Sequence, residues 1–234
     1  MSQKIVLKLD NVTKSIKKNK ILENISFDVR EAEIVGFVGK NGAGKTTTIK
    51  TILGLLSLDS GEIKLDGLDI EKDREKAMVK IGGFVDTPSF YKHMTAYQNL
   101  ALNIGLYSNV DKKRINEVLD IVGLSDAKDK KVGTFSYGMN QRLGLARTII
   151  HRPSILVLDE PVNGLDPRGI IDIRNYLLNA KQEKVSVLIS SHNLAEIQKI
   201  VDRIVWIDNG RVVGISNIDD VSDIEEDFLK LIND

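Results

Sequence analysis

A short, nearly all-apolar run, EIVGFVG (residues 33–39), leads directly into GKNGAGKTT (39–47) and then into a helical run, TTIKTILGLL. Few stretches of sequence constrain a fold so tightly. An apolar run closed by glycine reads as a central strand buried on both faces of a parallel sheet. The glycines let consecutive backbone N–H groups curl into a nest for an anion. The helix that begins near Lys45 adds the positive end of its dipole. Gly39, Gly44, Lys45 and Thr46 stand at the spacing of a phosphate loop, with Gly42 in addition. The loop segment Gly39, Lys40, Asn41, Gly42, Ala43, Gly44, Lys45, Thr46 and Thr47 is therefore the candidate nucleotide-binding site. In it Lys45 reaches the β- and γ-phosphates, and the Thr46 hydroxyl ligates Mg²⁺.

Two further strands end in the same manner. ILVLDEP (155–161) brings Asp159 and Glu160 to the C-terminal edge of the sheet, where parallel sheets bind ligands. Asp159 suits the Mg²⁺ shell through water, because Mg²⁺ keeps several of its waters. Glu160 is placed to polarise an attacking water. LISSHN (188–193) brings His192 to that edge, near the γ-phosphate, whereas His93 and His151 read as structural or solvated. A fourth segment, FSYGMNQRLGLAR (135–147), opens a helix with Ser136 as a natural N-cap. Gly138 in its first turn costs about 1 kcal/mol relative to Ala. A bare helix start of this kind leaves its N–H groups open to an anion.

The remaining pattern is α/β. KIVLKL, ISFDV, GEIKLDG and IGGFV read as strands, and the chain turns helical from about Thr95 to Ile150. ILVLD, VSVLIS and RIVWID then return as buried strands among the helical runs RGIIDIRNYLLNA and NLAEIQKIV. The expectation is a parallel sheet with a helical block inserted in its middle, and one short packing helix in the tail SDIEEDFLKLIND. The 234 residues carry 33 Lys+Arg against 33 Asp+Glu, a balance that argues against nucleic-acid binding by a basic surface. Absence of cysteine excludes disulfides and thiolate metal sites and fits a reducing compartment. The N-terminus lacks the apolar core of a signal peptide. No uncharged apolar run approaches the roughly 18 residues of a membrane span. Service to a membrane would have to run through a partner.

In the order GKNGAGKTT, FSYGM, ILVLDEP, NGLD, LISSHN, the chain resembles the nucleotide-binding subunit of ABC transporters, over essentially its whole length. The resemblance implies a P-loop NTPase (RecA-like) parallel core, an N-terminal antiparallel β subdomain and an inserted helical subdomain. It implies one domain over 1–234, with the core in 1–86 and 151–234 and the helical part at about 87–150. FSYGM occupies the place of the signature, most often LSGGQ; Tyr137 and Met139 depart from the usual Gly and Gln. By resemblance Ser136, Tyr137, Gly138 and Met139 bind the ATP held by a second subunit, in a head-to-tail dimer. Asn163, Gly164, Leu165 and Asp166 match the loop that crosses the dimer interface. Lys45, Glu160 and His192 then serve catalysis of Mg-ATP hydrolysis. Ile16, in KSIKKNK, stands where an aromatic usually stacks on adenine. Asp86, in GGFVDTPSF, stands where most members have glutamine; it is a candidate for the metal shell, and an acidic residue here resembles the subgroup that exports or confers immunity to bacitracin and lantibiotics. The implied setting is the cytoplasmic face of the membrane, beside a separate transmembrane permease subunit. The competing class, a soluble ABC-type ATPase acting on ribosomes or DNA ends, usually carries two cassettes or a long inserted coiled coil, and neither is present.

Overall fold

The structure, a computed structural model, describes residues 3–85, 88–107, 109–191, 197–221 and 223–233. The opening apolar run forms β3 (Ile34–Val38), and its helical continuation forms α1 (Lys45–Ile52). The later strands are β6 (Ile81–Phe84), β7 (Ile155–Asp159), β8 (Ser186–Ser190), β9 (Arg203–Asp208) and β10 (Arg211–Asn217). They build one sheet in the order β10-β9-β3-β8-β7-β6. Pairing is parallel from β9 through β6 and antiparallel between β9 and β10.

Every residue of β3, β7 and β8 is buried, which is why these strands do not alternate in sequence. Their side chains nonetheless divide by face. Ile34, Val38, Leu156, Leu158, Val187, Ile189, Ile204 and Trp206 pack into a core shared with the helices α3 (Ala96–Ile104), α4 (Lys113–Ile121), α5 (Tyr137–Ile149) and α6 (Pro167–Gln182). Val35, Phe37, Ile155, Val157, Leu188, Val205 and Ile207 join a second core with Ile49 and Ile52 of α1 and a smaller antiparallel sheet.

That smaller sheet has the order β2-β1-β4-β5, from β1 (Ile5–Ile16), β2 (Asn19–Arg30), β4 (Ser60–Leu65) and β5 (Leu68–Asp69). KIVLKL and ISFDV are therefore only the apolar parts of two 12-residue strands. Their outer halves, rich in Lys and Asn, pair across a tight turn at Lys17 and Lys18, both with positive φ. A two-residue turn of this kind suits the twist of a hairpin. RVVGISN gave no strand signal because β10 is an edge strand, exposed or half-buried throughout. The short helix α2 (Arg74–Met78) also went unread.

α3, α4 and α5 occupy the stretch between β6 and β7, with α5 lying against β6. The approach is close: a Cβ at Gly82 would stand 2.2 Å from the Thr148 carbonyl oxygen. α3 starts from a reciprocal cap, in which Thr95 Oγ1 accepts from Gln98 N–H and Gln98 Oε1 accepts from Thr95 N–H. His151 is structural, as expected: its ring stacks on Tyr107 at 4.4 Å, Nε2 lies 3.0 Å from the Ile81 carbonyl, and burial lowers its pKa. α7 (Ile224–Asn233) is the tail helix, and Phe228 stacks on Trp206.

One buried charge cluster ties the two sheets. Arg203, at the start of β9, donates from Nε to Glu33 Oε1 (2.8 Å) and from a terminal nitrogen to Asp28 Oδ1 (2.6 Å) and the Asp28 carbonyl (2.7 Å). Its side chain and that of Glu33 are each only 9% exposed. Removing one partner from such a pair leaves a buried charge uncompensated. Arg203→Met should destabilise the fold by roughly 3–5 kcal/mol in denaturant titrations. Adding Glu33→Gln should recover part of that loss; strict additivity would mean that the pair is not coupled.

Candidate active site

The phosphate loop leaves β3 at Val38 and enters α1 through Gly44, whose φ of 108° is a conformation that suits glycine. A Cβ there would also meet Leu22 Cδ2 at 2.8 Å. Gly42 is likewise at positive φ. Lys40, Asn41 and Gly42 are exposed at the loop's outer turn, Ala43 and Gly44 are buried, and Thr46 and Thr47 are half-buried in the first turn of α1. Lys45 is 6% exposed, and its ammonium donates to the carbonyls of Gly39 (2.7 Å) and Lys40 (3.1 Å). Burial lowers its pKa, partly offset by the charges of Glu160 and Asp159.

β3, β8 and β7 are neighbours in the sheet and point the same way, so their C-terminal ends meet. The meeting point is the Asp159 carboxylate. Thr46 Oγ1 donates to Asp159 Oδ2 at 2.7 Å, and Ser190 Oγ donates to Asp159 Oδ1 at 2.5 Å. Ser190 Oγ in turn accepts from Glu160 N–H at 3.0 Å, and the Ser190 carbonyl accepts from the same N–H at 3.2 Å. This bond helps to fix Glu160 in a left-handed conformation, φ 47°, that a non-glycine residue rarely adopts. The following Pro161 ordinarily pushes its predecessor toward extended backbone, so the conformation is held against local preference.

Ser190 escaped the sequence reading. The signal was there, in a serine that closes the apolar strand VSVLIS and is fully buried. Its hydroxyl bridges the two carboxylate-bearing residues.

Beyond Glu160 the chain turns through Asn163, Gly164, Leu165 and Asp166. Asn163 donates its backbone N–H to the Glu160 carbonyl (3.1 Å) and its side-chain amide to Glu160 Oε2 (3.4 Å). Asp166 caps α6 by accepting from Gly169 N–H at 2.8 Å, with Pro167 in the first helical position. Ser136 caps α5, accepting from Met139 N–H at 3.2 Å. Tyr137 and Gly138 follow in its first turn beside Gly164 and Leu165. Ile16 closes β1 and is 39% exposed. Asp86 and His192 lie outside the described residues.

The structure thus brings Lys45, Thr46, Asp159, Glu160 and Asn163 into one group, and carries Ser136 to Met139 on the helical segment. Thr46 and Asp159 offer hard oxygen donors side by side. So small a protein donor set suits Mg²⁺, which completes its octahedron with water and phosphate.

The sequence profile of a family described as ABC transporter matches residues 22–163. A Bacillus subtilis (strain 168) protein named as an uncharacterized ABC transporter ATP-binding protein, YhcH, is 44% identical over 96% of this chain and 74% of its own length. The bacitracin transport ATP-binding protein BcrA of Bacillus licheniformis is 42% identical over 89% of this chain and 68% of its own. The lantibiotic transport ATP-binding protein SrtF of Streptococcus pyogenes is 36% identical over 95% and 96%. Among solved structures, an ATP-binding subunit of an ABC transporter superposes with a TM-score of 0.89 at 27% identity, covering 97% of this chain and 99% of that one. A dimeric, post-hydrolysis ATP-binding cassette, MJ0796, bound to ADP and Pi superposes at 0.82 with 25% identity, over 91% and 98%. Sequence and fold agree along nearly the whole length, and the chain belongs to the ABC transporter family as one of its ATP-binding, ATP-hydrolysing subunits.

Proposed function

We propose that this chain powers a transporter that expels, or protects against, an amphipathic antimicrobial peptide of the bacitracin or lantibiotic kind. It works at the cytoplasmic face of the membrane with a separate transmembrane permease. Among the described residues no helix is long and apolar enough to cross a membrane, which fits a partner that does. The names of BcrA and SrtF support the peptide class. The observation that carries the chemistry is the hydrogen-bonded run Thr46–Asp159–Ser190–Glu160 beside the phosphate loop.

In this reading the loop amides and the Lys45 ammonium hold the β- and γ-phosphates, so a phosphate competes with the carbonyls that Lys45 now contacts. Thr46 and Asp159 hold Mg²⁺, which when bound neutralises charge developing on the phosphate oxygens. Ser190 orients Asp159 so that its other oxygen faces Thr46. Glu160 accepts the proton of a water that attacks the γ-phosphorus in line, and the bond to the ADP oxygen breaks. Two copies meet head to tail, each presenting Ser136 to Met139 to the nucleotide of the other; that the MJ0796 cassette is dimeric supports the pairing of two copies. Closure with ATP and opening after hydrolysis then drive the permease.

Purified chain should hydrolyse Mg-ATP, and co-expression with its permease should raise resistance to bacitracin or a lantibiotic. A chain that turns over ATP yet leaves peptide sensitivity unchanged would remove the cargo assignment and keep the ATPase. Glu160→Gln should lower kcat roughly 10²- to 10⁴-fold and accumulate an ATP-bound dimer in sedimentation; wild-type turnover in this variant would take the general base elsewhere. Ser190→Ala should raise the Mg²⁺ concentration for half-maximal hydrolysis by about 10-fold, as loss of a ligand-orienting hydrogen bond does. An unchanged Mg²⁺ titration would make that bond purely structural.

A further inference from the structure

Tyr137 makes a contact that no backbone-only helix start could make. Its ring lies over Gly164: a Cβ built on that glycine would stand 2.9 Å from Tyr137 Cε1 and 3.4 Å from Cζ. Gly164 is also at φ +72°, so both the ring above it and the turn through it call for glycine. The ring is anchored from its far end, where the Tyr137 hydroxyl accepts from Gln141 Nε2 at 2.9 Å. Gln141 is only 3% exposed, and its Oε1 has no hydrogen-bond partner among the described residues. A buried amide left half-satisfied is costly, and the bond to Tyr137 is what that amide makes.

The contact connects two pieces of the site. Gly138 stands beside Leu165, to which a Cβ would come within 3.5 Å, so the first turn of α5 and the Gly164–Leu165 segment are packed at two adjacent points. One residue before Gly164, Asn163 holds both the Glu160 carbonyl and Glu160 Oε2. A continuous run of contacts thus leads from the capped start of α5, through the Tyr137 ring and the loop, to the carboxylate that takes the proton.

We propose that Tyr137 is a positioning residue that couples the two nucleotide sites of a dimer, so that engagement of the α5 start by the partner's ATP is felt at Glu160 of the same chain. This rests on the head-to-tail reading given above. The ring makes the helix start and the loop move as one piece. Without it, the two pieces lose one of these two adjacent packing points, and Glu160 in one site responds less to the filling of the other.

The test compares full-length wild type, Tyr137→Ala and Tyr137→Phe, with Mg-ATP as the varied substrate and Mg-ADP as the binding probe. The wild type should hydrolyse ATP with a Hill coefficient approaching about 2, the number of sites in a dimer. Tyr137→Ala should bring the coefficient toward one and lower kcat by about 10-fold, within the range of ordinary coupling. Its affinity for Mg-ADP should not move, because the phosphate loop is untouched; a general structural lesion would shift that affinity as well. Tyr137→Phe keeps the ring over Gly164 but loses the Gln141 bond that anchors it, so its coefficient should lie between those of the wild type and the alanine variant. Non-cooperative hydrolysis by the wild type, or an alanine variant with wild-type coefficient and kcat, overturns the inference. So does a phenylalanine variant that behaves as the alanine one does, since the ring would then not be the link. A wild-type chain that hydrolyses no ATP would instead sink the functional reading on which the inference stands.

Discussion

Asp159 accepts one hydrogen bond on each carboxylate oxygen, from Thr46 on one side and Ser190 on the other. Those two bonds join the helix after β3, the end of β7 and the end of β8 through a single side chain. The central sheet makes this possible. Buried on both faces, it has no polar side to spend on chemistry, and the groups that must meet a phosphate can emerge only where the strands end. A carboxylate at such a place has to be tethered, or it would rotate among several donors of equal merit.

The same constraint bears on Glu160. Its backbone is held left-handed just before a proline, with its N–H directed at Ser190. Local preference would extend the chain there and swing the carboxylate away from the loop end. The sheet therefore does more than support the site: hydrogen bonds from one strand end maintain a conformation in its neighbour that neither would adopt alone. The neighbouring Asn163 bond carries that order onward into the loop before α6.

Much of this was legible in the order of residues because the relevant groups are local. GKNGAGKTT states its own geometry, since glycine, lysine and hydroxyl lie within one turn and its approach. ILVLDEP likewise announces a buried strand with acids at its end. What could not be read depends on neighbours distant in the chain. Ser190 is 31 residues from the Asp159 it holds, so a serine closing an apolar strand shows where it stands but not which carboxylate it meets. The ring of Tyr137 meets Gly164 only because α5 and the later loop are folded together, so the sequence showed a departure from a motif and not its contact. Long strands β1 and β2 were read short because their polar outer halves pair through the backbone, to which hydropathy is blind. β10 was missed for a related reason, as an edge strand with few buried side chains.

Trp206 is the only tryptophan of the chain, fully buried in β9, with its ring stacked on Phe228 at 5.7 Å and its indole N–H donated to Ser216. In the sheet register it sits across from Val38, the residue just before the phosphate loop. The molecule therefore carries a single native fluorophore wedged between the strand that feeds the loop and the tail helix α7. Undocking of that helix would uncover the indole and redden its emission, without any label. A spectrum that stays blue while nucleotide is added would report that the tail remains seated and β9 undisturbed throughout the cycle.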